Sequence, residues 1–176
     1  MSNLSKTQTI PTGDAFAHGE YVFRVNGGQW ESAKNLITNE GLNYILNTAF
    51  GSKPKASNFY IALFSGTAVP DSTWTAASFS ATANEVVSLT EGYTNATRPE
   101  WKPTDTTTQR IDNIANVATV TFATAGTLTV TGAALLTSSG KGSTTGTLIS
   151  ATKFPTARVF QKDDKFEVGY YVGLTI

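Results

Sequence analysis

His18 is the only histidine of the chain, and cysteine is absent. No thiol nucleophile, disulfide or thiolate metal site can therefore form, and only oxygen or histidine chemistry remains. A lone histidine does not make a metal site, which needs several ligands. A hydrolytic triad needs a base oriented by a carboxylate, and neither HExxH nor GxSxG spacing occurs. His18 therefore reads as a structural or surface residue. Two carboxylates flanking a sugar could make a glycosidase. The candidates are Glu85, Glu91, Glu100 and Asp105 in the middle of the chain and Asp163 and Asp164 near its end. Asp163 and Asp164 sit between Lys162 and Lys165 and between two strand-like runs, a pattern that fits an exposed hairpin turn better than a catalytic pair. Residues 138–146, "SSGKGSTTG", lack the phosphate-loop spacing and read as a flexible loop. The expectation is a protein with no catalytic, cofactor-binding or metal-binding residues.

Composition narrows the remaining classes. The chain has 176 residues, long enough for one domain with a real core. It carries 13 basic and 13 acidic residues for a net charge of +0, and charged residues make up only 15%. Soluble domains ordinarily reach roughly 25%, so this surface should be neutral and hydroxyl-rich. No basic excess is present to neutralise a phosphate backbone, which argues against nucleic acid as a partner. Apolar runs such as Phe59–Phe64 are far shorter than the roughly 20 residues of a spanning helix. The N-terminus "MSNLSKTQTIPTGD" has no apolar signal core. Production in a cytoplasm, free of lipid, is expected.

The elements that would position any working surface are mostly strands. The spacing of Leu42, Ile45, Leu46, Ala49 and Phe50 predicts a helix over about 38–50, with its apolar face on the core. Thr38 is placed to cap it, Glu40 to meet its positive end and Gly51 to end it. "GEYVFRVN" alternates, with Tyr21, Phe23 and Val25 on one face, and turns at Gly27-Gly28 into "QWESAKNLI". "NFYIALFSG" is a near-continuous apolar run, expected of a central strand covered on both faces. Residues 65–116 read as long loops with one or two short strands, Glu85 to Leu89 being the best candidate. "VATVTFAT", "TLTVTGAALLT", "TLISATKF", "ARVFQ" and "KFEVGYYVGLTI" complete seven to nine strands. In the last, Phe166, Val168, Tyr170, Val172 and Leu174 share one side. The predicted fold is mainly β: a single antiparallel, jelly-roll-like β-sandwich over 19–176, with the helix covering an edge or end.

Ahead of it, residues 1–18 are polar, contain Pro11 and Gly13 and show no period, so they read as an extended arm. Leu4, Ile10 and Phe16 are apolar points along that arm, spaced to enter pockets on a neighbouring subunit. Trp30 falls in a predicted strand and serves equally as core. Trp74 and Trp101 fall in proline-rich loops and read as partner-facing, whether toward protein or by stacking on a carbohydrate, with core packing as the alternative.

"NLITNEGLNYILNTAF" followed by "FYIALFSG", and "DDKFEVGYYVGLTI" at the end, resemble a pattern found in small structural proteins of tailed bacteriophages; "EGYTNATRPEW" is similar to a loop those proteins carry. The resemblance spans residues 35–66 and 163–176. It implies a non-enzymatic virion component, foremost a head decoration (cement) protein on the capsid surface, and otherwise a tail or fibre protein that binds a receptor or carbohydrate. The implied partners are the major capsid protein and further copies of the chain in a dimer or trimer, with no cofactor, nucleic acid or membrane.

Overall fold

In the computed structural model, which describes residues 16–175, Asn26 and Gly27 take left-handed backbone conformations (φ +50° and +70°). That geometry suits the twist of a tight hairpin. It joins β1 (Phe16–Val25) to β2 (Glu31–Lys34). Strand β1 begins earlier than expected, since Phe16, Ala17 and His18 already pair with Thr175, Leu174 and Gly173. These three residues belong to the sheet and not to an arm. Leu4 and Ile10 lie outside the described residues.

The chain continues through β3 (Leu36–Ile37), α1 (Asn39–Ala49), β4 (Phe59–Phe64), α2 (Ala76–Ala83), β5 (Gly92–Tyr93), β6 (Glu100–Trp101) and β7 (Arg110–Asp112). It then forms β8 (Ala118–Ala123), β9 (Leu128–Leu136), β10 (Leu148–Phe160) and β11 (Lys165–Thr175). Two antiparallel sheets result, ordered β2-β1-β11-β8-β5 and β3-β10-β9-β4-β6. The free edge of β11 is shared: β8 pairs with Lys165–Val168 and β7 with Tyr171–Gly173. In the gap, buried Asn113 accepts the Tyr170 amide at 2.8 Å, so the ladder loses no partner there. The sandwich is present as expected. Strands β1 and β2, like β9 and β10, form hairpins within one sheet, whereas β8 and β9 cross between sheets around Ala125-Gly126.

Alternation along β1 and β11 delivers Tyr21, Phe23, Phe166, Val168 and Tyr170 to the inner face, where they meet Ile61, Leu63, Val130, Leu135 and Ile149 of the second sheet. Phe122 stacks on Phe160 with centroids 3.9 Å apart, and the Tyr21 hydroxyl reaches Ser150 Oγ across the sheets at 2.9 Å. The run Ile61–Phe64 is fully buried, as expected of a strand covered on both sides. Its second cover is α2: Phe79, Ala76 and Ala83 pack with Ala62, Phe64, Ala134 and Leu136 on the outer face of that sheet.

Helix α2 lies where loops were expected. Its residues are Ala, Ser, Thr and one Phe, with no apolar stripe to announce a helix. It is held instead by its ends: Thr75 and Ser78 form a capping box, and Asn84 closes the helix in the left-handed region (φ +54°). Glu85–Leu89 is not a strand, since Glu85 makes a single bridge to Phe64. Among the described residues no helix is long and apolar enough to cross a membrane.

Candidate interaction surface

Three residues at the start of α1 determine which way the helix faces. Thr38 Oγ1 accepts the Gly41 amide at 3.0 Å, the expected cap, and donates to the Leu148 carbonyl at 2.6 Å. Glu40 reaches beyond its own helix: Oε2 accepts the Ala76 amide at the start of α2 (2.8 Å) and the Leu148 amide of β10 (2.7 Å). Gly41 lies so close to β10 that a Cβ there would stand 2.1 Å from the Ile149 carbonyl oxygen. These contacts turn Gly41 and Tyr44 toward the sheet, and Tyr44 is buried with its hydroxyl accepting the Ala56 amide at 2.6 Å.

The predicted apolar face is therefore not in the core. Leu42, Leu46 and Phe50 are 40%, 57% and 88% exposed, and only Ile45 of the predicted stripe is partly covered. Burying that stripe would unmake the clamp on two helix starts and one strand, leaving the Gly41, Ala76 and Leu148 amides and the Leu148 carbonyl without these partners at a cost of roughly 1–3 kcal/mol each where buried. What remains outside is uncharged. Between Thr38 and Gly51 the only charged residue is Glu40, whose carboxylate is engaged inward. The exposed side of α1 thus carries leucines, a phenylalanine and asparagines on a rigid helix, and loss of charge with retention of large apolar side chains is the compositional mark of an interface core.

Beside this face the inter-sheet core stops short and leaves a cavity of about 620 Å³. Ile45 and Ala49 roof it, and Phe59, Trp101, Ile111 and Val172 wall it. Tyr44, Phe59 and Trp101 interlock edge to face, with centroids 6.0 and 5.9 Å apart.

The other residues singled out in the sequence divide clearly. Trp74 and Trp101 are buried, against the partner-facing expectation: Trp74 packs on Phe64 and Phe79, and Trp101 donates its indole N–H to the Tyr170 carbonyl at 2.9 Å. Each brings a large apolar area that the core takes up. Trp30, expected in a strand, precedes β2 and is 45% exposed, with the Arg24 guanidinium 4.5 Å from its ring centroid. Phe16 is 62% exposed at the start of β1. His18 meets Tyr171 edge to face. Asp163 and Asp164 form a turn, as expected, but not a hairpin, because it carries the chain from β10 in one sheet to β11 in the other. Asp163 is left-handed (φ +70°), and Asp164 accepts the Gln161 amide at 2.7 Å and the Asn26 side-chain amide at 2.8 Å.

Glu91 clamps a loop, accepting from the Thr124 hydroxyl at 2.6 Å, a bond that holds its carboxyl below the usual range. Glu100 stands beside Lys102 at the mouth of the cavity. Glu85 is fully buried in a bidentate pair with Arg98 (2.7 and 2.8 Å) and also accepts the Gly142 amide at 3.0 Å. Arg98 in turn donates to the Ser138 carbonyl at 2.9 Å, so residues 138–146, expected to be a flexible loop, are tied to the buried pair at Ser138 and at Gly142. No sequence signal marked that pair. Among the described residues, no three His, Asp or Glu side chains group as a metal site.

Lys141 of the same loop donates to the Tyr93 carbonyl at 2.8 Å with its ammonium above the Tyr93 ring. Burial pushes its pKa from 10.5 down to about 8, while the Glu85 carboxylate pulls the other way. The unfolded chain therefore holds this proton more tightly, and stability rises with pH between those two values. The melting temperature of the wild type, measured relative to Lys141→Met, should climb between about pH 8 and pH 10. An identical profile for the two proteins would assign no role to Lys141.

No family model matches this chain, and no curated protein matches it.

Proposed function

We propose that this chain is a non-enzymatic structural protein of a tailed-bacteriophage particle, binding the capsid shell as a decoration protein. The observation that carries the reading is the exposed face of α1, apolar and uncharged yet fixed to both sheet and second helix through Thr38, Glu40 and Tyr44. A preorganised apolar face loses little ordering entropy on docking, so even a modest patch binds usefully. Copies joined as a dimer or trimer on a repetitive shell would multiply that affinity without new contacts. The segments that resemble phage structural proteins fold into β3, α1, β4 and β11, so the resemblance and the exposed face coincide on α1. The alternative of carbohydrate binding by stacked aromatics is the weaker reading, because Trp74 and Trp101 are buried.

The test uses purified capsids that lack the protein. Leu46→Asp and Phe50→Asp, at exposed positions, should leave the thermal melt unchanged and each weaken capsid binding by roughly thirtyfold, the scale of an interface hot spot of about 2 kcal/mol. Wild-type occupancy by both variants, or failure of the wild type to bind, would overturn the proposal.

A further inference from the structure

We infer that the cavity between the sheets is a binding site for a small amphiphile with a hydrocarbon body and a carboxylate end. The inference stands apart from the capsid reading, since it uses the edge of α1 at Ile45 and Ala49 and not Leu42, Leu46 and Phe50. The volume of about 620 Å³ lies within the roughly 300–1,000 Å³ typical of small-molecule sites. The cleft opens to the surface at the α1–β4 and β6–β7 loops and runs inward between Phe59 of one sheet and Ile111 and Val172 of the other.

The chemistry of the occupant follows from the polar ends of the walls. The Trp101 indole donates to the Tyr170 carbonyl and needs no partner in the cavity, whereas the Tyr44 hydroxyl accepts the Ala56 amide and keeps its own O–H to donate. What the aromatic walls offer is ring surface, which favours a hydrocarbon. Charge is confined to the rim. Lys102 stands by Glu100 at 3.7 Å, leaving Lys55 on the α1–β4 loop and Asp105 on the β6–β7 loop without ion pairs among the described residues. Lys53 adds a second ammonium to the α1–β4 loop, 5.2 Å from the Tyr44 ring centroid. The cationic lip lies beside the helix, so an anionic end projects there with the body running inward between the sheets.

Laurate, lauryl alcohol and dodecylammonium, each below its micelle concentration, are the probes. Calorimetry should show saturable binding of laurate with one site per chain, accompanied by a change in tryptophan fluorescence, because Trp101 walls the cavity while Trp30 and Trp74 lie elsewhere. Ala49→Trp, at an exposed position of the roof, should weaken laurate by about tenfold or more with an unchanged melt, the scale on which one methylene-sized space discriminates ligands. Lys55→Ala should weaken laurate by about two- to fivefold and leave lauryl alcohol unaffected, as befits an exposed charge. The proposal is overturned by absence of saturable laurate binding, by laurate affinity indifferent to Ala49→Trp, by affinity lost instead in Leu46→Ser, or by dodecylammonium binding more tightly than laurate.

Discussion

Arg98→Ala is expected to destabilise the fold by about 3–5 kcal/mol, the cost of leaving a buried charge without its partner. Both side chains of the Glu85–Arg98 pair are wholly inaccessible, and the geometry is bidentate. The guanidinium also holds the Ser138 carbonyl, and the carboxylate holds the Gly142 amide. Removing Arg98 strands Glu85, just past the end of α2, with the Gly142 amide as its one remaining hydrogen-bond donor, and releases the β9–β10 loop at Ser138 at the same time. The double variant Glu85→Leu with Arg98→Met should recover most of the loss, because apolar replacement of both charges removes the desolvation penalty that a single replacement exposes. Urea denaturation of the three variants decides the matter. A loss below about 1 kcal/mol for Arg98→Ala would mean that water reaches Glu85 and that the pair does not lock the loop.

Tyr44→Ala should cost about 3–5 kcal/mol, whereas Leu46→Ala, two residues on, should stay within about 0.5 kcal/mol. Tyr44 is 6% exposed, meets Phe59 edge to face and accepts the Ala56 amide, while Leu46 is 57% exposed. Tyr44→Phe isolates the hydroxyl and should cost about 1 kcal/mol. Equal losses for Tyr44→Ala and Leu46→Ala in denaturant titrations would show that α1 is rotated about its axis from the orientation described.

That contrast marks the boundary between what was legible and what was not. The helix itself was: Thr38, Glu40 and the periodic leucines specify where it starts and runs, since capping and propensity act within a few residues. Its orientation was not, because the residues that set it act across the chain. Glu40 bonds to Ala76 and Leu148, and Gly41 matters only for its approach to Ile149. The hydrophobic stripe predicted burial of Leu42 and Leu46, and the backbone groups at the ends of two helices and a strand outweighed it. The interaction surface therefore arises where local pattern and tertiary demand disagree.

The amino-acid sequence by itself determined the β-rich class, the inner-facing alternation of β1 and β11, the doubly covered strand β4, the Asp163-Asp164 turn and the absence of thiol chemistry. Each depends on period, turn chemistry or composition, which are local or global sums that need no partner. The tertiary structure alone decided the rest. It made a helix of residues 76–83, whose small side chains pack closely on the sheet but carry no stripe. It drew Trp74 and Trp101 from proline-rich loops into the core, and it brought Glu85 and Arg98 together out of water. It also stopped the core short beneath α1, leaving a cavity walled by residues from both sheets. Such outcomes depend on which faces meet in three dimensions, and residue spacing along the chain does not encode which distant surface a side chain will find.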